Sequence, residues 1–166
     1  MAQALFVSRD DIVKFTALNG NVDVDKFIQW VKVAQDTHIQ GYLGTKLFNK
    51  INDGIVNSNL QSPYTMLLNV YIKPMVIHWS MVEFLPFAAY TIANKGVYKH
   101  ESENATTVEK NEVDFLIEKQ RQIAQHYTQR FVDYMCFNMA SFPEYNSNSN
   151  GDMYPRGENN LNGWYL

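Results

Sequence analysis

Cysteine is nearly missing from this chain: Cys136 stands alone among 166 residues. One thiol permits neither an intrachain disulfide nor a cysteine-built metal cluster, and its solitude fits a reducing compartment. Excess positive charge is lacking too. Fourteen Lys and Arg face seventeen Asp and Glu, a formal charge of −3, which argues against coating nucleic acid by bulk attraction to phosphate. No run of ~20 apolar residues occurs. The most apolar stretch, Met66 to Ala93, is interrupted by Asn69, Lys73, Pro74, His78, Glu83 and Pro86, so it reads as buried core and not as a membrane span. The opening Met1 to Val7 has neither a basic region nor a long apolar core, unlike a secretory signal.

Motifs that carry chemistry are equally scarce. Neither G-x-x-x-x-G-K-[ST] nor G-x-G-x-x-G is present. The histidines, His38, His78, His100 and His126, fall on separate elements without metal-ligand spacing, so no metal site and no cofactor are expected. His78 and Glu83 are five residues apart and share a helix face poorly. His126 and Cys136 lie ten residues apart, ~15 Å along one helix, too far for a nucleophile and its base. Cys136 is expected to be buried and inert. The acidic pairs Asp10/Asp11 and Glu101/Glu103 sit on a helix start and a polar loop, not in an apolar cleft that would raise a pKa. The expectation is a chain with no catalytic residues.

What is present is helical patterning. Hydrophobic residues make up 46% of the chain, beside 8 Gly and 5 Pro, a composition for one globular core rather than a fibrous or disordered chain. Ser8 and Asp11 have the spacing of a helix cap, opening a helix from Arg9 to Leu18. A second helix opens at Asp23, with Val24, Phe27, Ile28, Val31, Ala34, His38 and Tyr42 on one stripe. Thr45 caps a third, running to Asp53-Gly54. Ser62-Pro63 restarts the chain with a proline at the first helical position. The pattern then stays helical to about Asn94, with Pro74 and Pro86 each kinking or breaking it. A polar connection follows, Val97 to Ala105, with room for a short hairpin.

Thr106 and Glu109 form a capping box for the longest helix, ending near Met139 and spanning roughly 50 Å. Its stripe reads Val113, Leu116, Ile117, Ile123, Ala124, Tyr127, Phe131, Tyr134, Met135 and Asn138. Phe27, Val31, Leu47, Leu68, Ile72, Leu116, Ala124 and Phe131 are the expected core. The fold class is therefore all-α, a helical bundle over residues 1–140 with kinked central helices and one long C-terminal helix. Composition changes abruptly at Ser141. Residues 141–166 are rich in Asn, Ser and Gly and are too polar to fold alone. Yet they carry Phe142, Tyr145 and Tyr154 and close on Trp164-Tyr165-Leu166. These six are the candidate partner-binding residues of an extended docking arm.

Several phrases occur together in a telling order. They are Phe27-Ile28-Gln29, Ala34 through Gln40, Leu43 through Phe48, Ile72-Lys73-Pro74, Thr91 through Val97, Ala124-Gln125-His126-Tyr127 and Gly163 through Leu166. In that order the chain resembles the head–tail connector (adaptor) proteins of tailed bacteriophages, of the crAss-like type, from about Ser8 to the last residue. The resemblance implies a non-enzymatic virion protein of the neck that assembles as a ring, a dodecamer in the common case, beneath the portal. It implies contacts with portal protein and with other neck and tail ring proteins. Double-stranded DNA would pass through the channel without sequence-specific binding. Assembly in the host cytoplasm and no membrane association follow from the same likeness, as does an arm reaching the portal or a neighbouring copy. Two other readings stay open. One is a helical DNA-interacting regulatory module using Lys119, Arg121 and Arg130. The other is a small hydrolase using His78 and Glu83.

Overall fold

Ser8 and Asp11 do what their spacing predicts: the Asp11 amide donates to Ser8 Oγ at 3.2 Å and the Ser8 amide donates to Asp11 Oδ2 at 3.0 Å. In the computed structural model, which describes residues 3–16, 18, 24–88, 90–93, 96–99, 110–148 and 152–153, this box opens α1 (Arg9–Phe15). The helix stops earlier than its sequence pattern suggests. Thr16 turns its hydroxyl back onto the Ile12 carbonyl at 2.7 Å and takes an extended backbone, a local bond that competes with the helical ladder.

Next comes α2 (Val24–Ala34), then a π turn over Gln35–Ile39, then α3 (Gln40–Val56). The π turn is closed by the Gln40 amide on the Gln35 carbonyl. It changes which residues are inside. A π turn holds an extra residue, so after the expected Ala34 the stripe slips from His38 and Tyr42, which are half-buried, to Ile39 and Leu43; Ala34, Gln35, Ile39 and Leu43 are all fully buried. Gln35 is tolerated there because its amide is used at both ends. Oε1 accepts from the Phe6 amide at 2.7 Å, and Nε2 donates to the Ala4 carbonyl at 3.2 Å. Asn52 Oδ1 adds a bond from the Ala4 amide at 2.7 Å. Residues 4–6 are thereby laid against the bundle like a strand against amide rungs.

The Ser62-Pro63 bond is cis, and α4 (Tyr64–Leu67) begins just after it. A second π turn, Leu68–Ile72, joins α4 to α5 (Lys73–Phe84). Pro74 was expected to kink or break the helix. It sits in the first turn of α5, and the wide π turn upstream absorbs its missing donor and the crowding of its ring. Pro86 does end the helix, in a 3-10 turn over Leu85–Phe87.

Helix does not continue to Asn94 as expected. Tyr90–Ala93 forms β1 and Gly96–Lys99 forms β2, an antiparallel hairpin in the register Tyr90↔Lys99 and Ala93↔Gly96. Having stopped the helix, Pro86 leaves a stretch with Tyr, Thr, Ile and Val, which suit a pleated backbone better than a helical one. The expected polar connection thus begins inside β2, and residues 100–105 lie outside the described residues, as does the capping box at 106–109.

The last long element, α6 (Lys110–Asn138), packs mainly on α5. It leads through a 3-10 turn (Met139–Ser141) into α7 (Pro143–Asn146). The architecture is an all-α bundle, carrying one small hairpin, with α5 at its centre. The expected core residues Phe27, Val31, Leu47, Leu68, Ile72, Ala124 and Phe131 are buried. Leu116 is not; it is an exposed residue of α6. The buried face of α6 runs through Ala124, Thr128, Phe131 and Met135. Polar Thr128 disguised it, and the competing stripe through Leu116 and Ile123 looked as apolar. No helix among the described residues is long and apolar enough to cross a membrane.

Candidate functional site

The start of the segment after Ser141 is bound to its own subunit. Phe142 is fully buried, edge-on to Tyr64 at 5.5 Å and to Tyr134 at 6.3 Å. It is a core side chain and is not presented to a partner. Tyr145 is half-buried, edge-on to Phe131 at 6.4 Å, and its phenol pKa is raised by burial and by the nearby Cys136. The Tyr64 hydroxyl donates to Glu144 Oε2 at 2.5 Å; burial and that carboxylate push the Tyr64 pKa up to about 12. The physical reason is simple: a short α7 places Phe142 and Tyr145 back against α4 and α6, where aromatic area is already gathered. Tyr154, Trp164, Tyr165 and Leu166 lie outside the described residues.

Farther on, the segment enters α3. Gly44, at φ 74° and ψ 155°, breaks that helix. Thr45 was expected to cap the helix that follows; the cap comes instead from Asp152. Its Oδ2 accepts from the Thr45 amide at 2.8 Å, and its Oδ1 accepts from the Thr45 hydroxyl. Asn148 takes the Lys46 amide at 3.0 Å and donates to the Leu43 carbonyl at 3.2 Å. The chain then runs on to Val56, two residues beyond Gly54.

The second feature is the outer face of α6. Phe115, His126 and Phe137 are exposed and eleven residues apart, a spacing that keeps them nearly in line on a helix. Phe137 is 88% exposed and Phe115 61%. The row covers ~33 Å. Leu116 and Ile123 flank it, also exposed. The basic residues once considered for DNA are engaged locally: Lys119 lies over Phe115, Arg121 lies beside Glu118, and Arg130 covers the Tyr71 ring. Cys136 is exposed rather than buried, because it lies off the Ala124–Met135 stripe.

His78 and Glu83 are not brought together. His78 Nδ1 pairs with Gln120 Oε1 at 3.0 Å and its ring stacks on Tyr127; burial lowers its pKa, partly offset by the Gln120 bond. Glu83 instead meets His38 Nε2 at 2.7 Å, and the His38 ring stacks at 4.0 Å on Trp79, whose indole N–H donates to Thr128 Oγ1 at 3.0 Å. The π turn aims His38 at α5, which a straight-helix reading misses. A histidine–carboxylate pair alone can bind or pass a proton; catalysis would need a nucleophile and an oxyanion donor beside it. Among the described residues no cluster of His, Cys, Asp and Glu has the makings of a metal site. A polar cleft of about 410 Å³, lined by Lys50, Asp53, Asn57, Asn59, Gln61 and Ser62 among others, lies at the end of α3, away from every histidine pair.

No curated protein and no solved structure matches this chain. A family model, described as a family of unknown function (DUF6712), matches residues 39–154. That span begins at the end of the first π turn and reaches past Asp152, so it includes the helix break, the segment that fills it and all of α5 and α6. The chain belongs to the DUF6712 family.

Proposed function

We propose that this protein is a structural component of a phage neck: a head–tail connector that assembles as a ring beneath the portal and extends the DNA channel toward the tail. One observation carries the reading beyond the sequence resemblance. A helix of 29 residues gives one face to its own core and leaves Phe115, Leu116, Ile123 and Phe137 exposed on the other. Aromatic side chains in that position suit subunit contacts better than solvent. Rings need two unlike faces on each copy, and α6 supplies one of them.

In this reading Trp164, Tyr165 and Leu166 remain the docking residues for portal or a neighbouring copy, with Tyr154 nearer the root. Phe142 and Tyr145 drop out of that set, being engaged within the subunit. The ring surrounds duplex DNA without reading it, which suits a chain of net charge −3. The virion neck is then its place, after assembly in the host cytoplasm.

Mass photometry and negative-stain imaging of the protein with purified portal test this. Ring-shaped complexes with portal are expected, and deleting residues 159–166 should abolish stable attachment while leaving the thermal melt nearly unchanged. Failure of the full chain to associate with portal at any stoichiometry would sink the proposal.

A further inference from the structure

The break at Gly44 has no proline behind it. Glycine permits a positive φ but does not compel it, since it adopts helical angles as readily. Breaking a helix strands amides on one side and carbonyls on the other, so something must hold the broken form. The residues that do so are more than a hundred positions away in sequence. Asp152 and Asn148 accept from the Thr45 and Lys46 amides, and Asn148 donates to the Leu43 carbonyl. Lys46 Nζ adds a bond to the Ser147 carbonyl at 2.5 Å. The space is shared as tightly as the bonds. A Cβ on Gly44 would lie 2.1 Å from Asn148 Nδ2 and 2.7 Å from Met153 Cγ. The seated segment therefore needs both the open backbone and the missing side chain.

We infer that Gly44 and the residues Asn148, Asp152 and Met153 form a two-position clasp. With the segment seated, α3 is broken at Gly44. With it withdrawn, the Thr45 and Lys46 amides and the Leu43 carbonyl lose their partners, and the nearest replacements are the helix's own i→i−4 bonds. Gly44 then returns to helical angles and residues 40–56 close into one continuous helix. The clasp couples the position of the chain beyond Met153 to the angle between the two halves of α3. It does not depend on what that chain binds.

Nitroxide labels at Thr37→Cys and Val56→Cys, in a Cys136→Ser background, bracket the break, and pulsed electron–electron resonance reads the distance between them. Two variants withdraw the segment by different means. Asn148→Ala with Asp152→Ala removes its bonds, and Gly44→Ala removes its space while favouring helix. In both, the distance distribution is expected to lengthen toward roughly 28 Å, the span of a continuous helix between those positions. Far-UV circular dichroism checks that each variant is folded. A native distribution in either folded variant overturns the clasp and leaves a static cap. If only one variant folds, its distribution decides. If neither folds, the second position is not a stable state and the inference fails.

Discussion

Helices α5 and α6 lie against each other and solve opposite problems. Eight of the twelve residues of α5 are buried, on every side of the helix. Only four of the 29 residues of α6 are buried, all on one side. A helix apolar all round is satisfied by neighbours from its own chain: α5 has α2 on one flank and α6 on another. The outer aromatics of α6 have no such neighbour among the described residues. The contrast teaches that burial here is not a matter of how apolar a helix is. Phe137 is as apolar as Phe131, yet one is nearly all exposed and the other fully buried.

The largest expected effect separates those two phenylalanines. Phe131→Ala should cost about 3–5 kcal/mol in a urea titration, from lost transfer energy and the cavity left behind. Phe137→Ala should stay within about 0.5 kcal/mol. Comparable losses for the two would mean that the outer face of α6 is covered in the monomer. Smaller is Tyr64→Phe, which removes the bond to Glu144 and should cost about 1–2 kcal/mol. It also has a pH signature. The folded-state phenol is pushed up to about 12 from 10, so its contribution is whole below pH 10 and lost as pH rises through that raised value. The variant should lose this alkaline limb; persistence of the limb would assign it to another group.

Phe115→Ser with Phe137→Ser should barely change the monomer's stability, and it should prevent ring formation with portal. Assembly at native efficiency would turn the comparison between α5 and α6 into one without functional meaning. The smallest effect is expected from His78, between the two helices. Its folded pKa lies below 6.5 because burial disfavours the charged ring. Below pH 6.5 the unfolded chain takes up a proton that the folded chain refuses. Stability is therefore present above that pH and declines as pH falls through the lowered folded value. His78→Phe should flatten this slope in denaturant titrations between pH 7 and 5. An unchanged slope would place its origin elsewhere.

Most of the helical architecture was legible in the sequence because it rests on local signals: the Ser8–Asp11 box and the apolar density between Tyr64 and Phe84. Each failure has its own physical cause. A π turn is a one-residue slip that no periodicity scan with a fixed period can see, and the first of the two moved Gln35 and Ile39 inward and aimed His38 at Glu83. The face of α6 was misjudged because Thr128, bonded to the Ala124 carbonyl and to Trp79, is satisfied in the core. Of the candidate site, Phe142 and Tyr145 were misplaced because a polar run conceals how much of its length is spoken for. Asn148 and Asp152 look like linker residues until the backbone of α3 is seen to need them. The one available signal was Gly44-Thr45, a glycine set directly before a helix start.

Residues 4–6, and Asn148 with Asp152, fasten to one stretch of the molecule, from Gln35 to Asn52. Considered as a mechanical part, that stretch is the tie-bar of the subunit. A pull along the chain beyond Met153 arrives first at Asp152 and Asn148. From there it passes into α3, and reaches residues 4–6 through Asn52 and Gln35. The interface between α5 and α6 lies off this line. What yields first is a handful of side-chain bonds to backbone, each worth on the order of 1 kcal/mol net, and they give way before any core residue is disturbed. The segment that looked like slack rope is a fuse, set where tension enters.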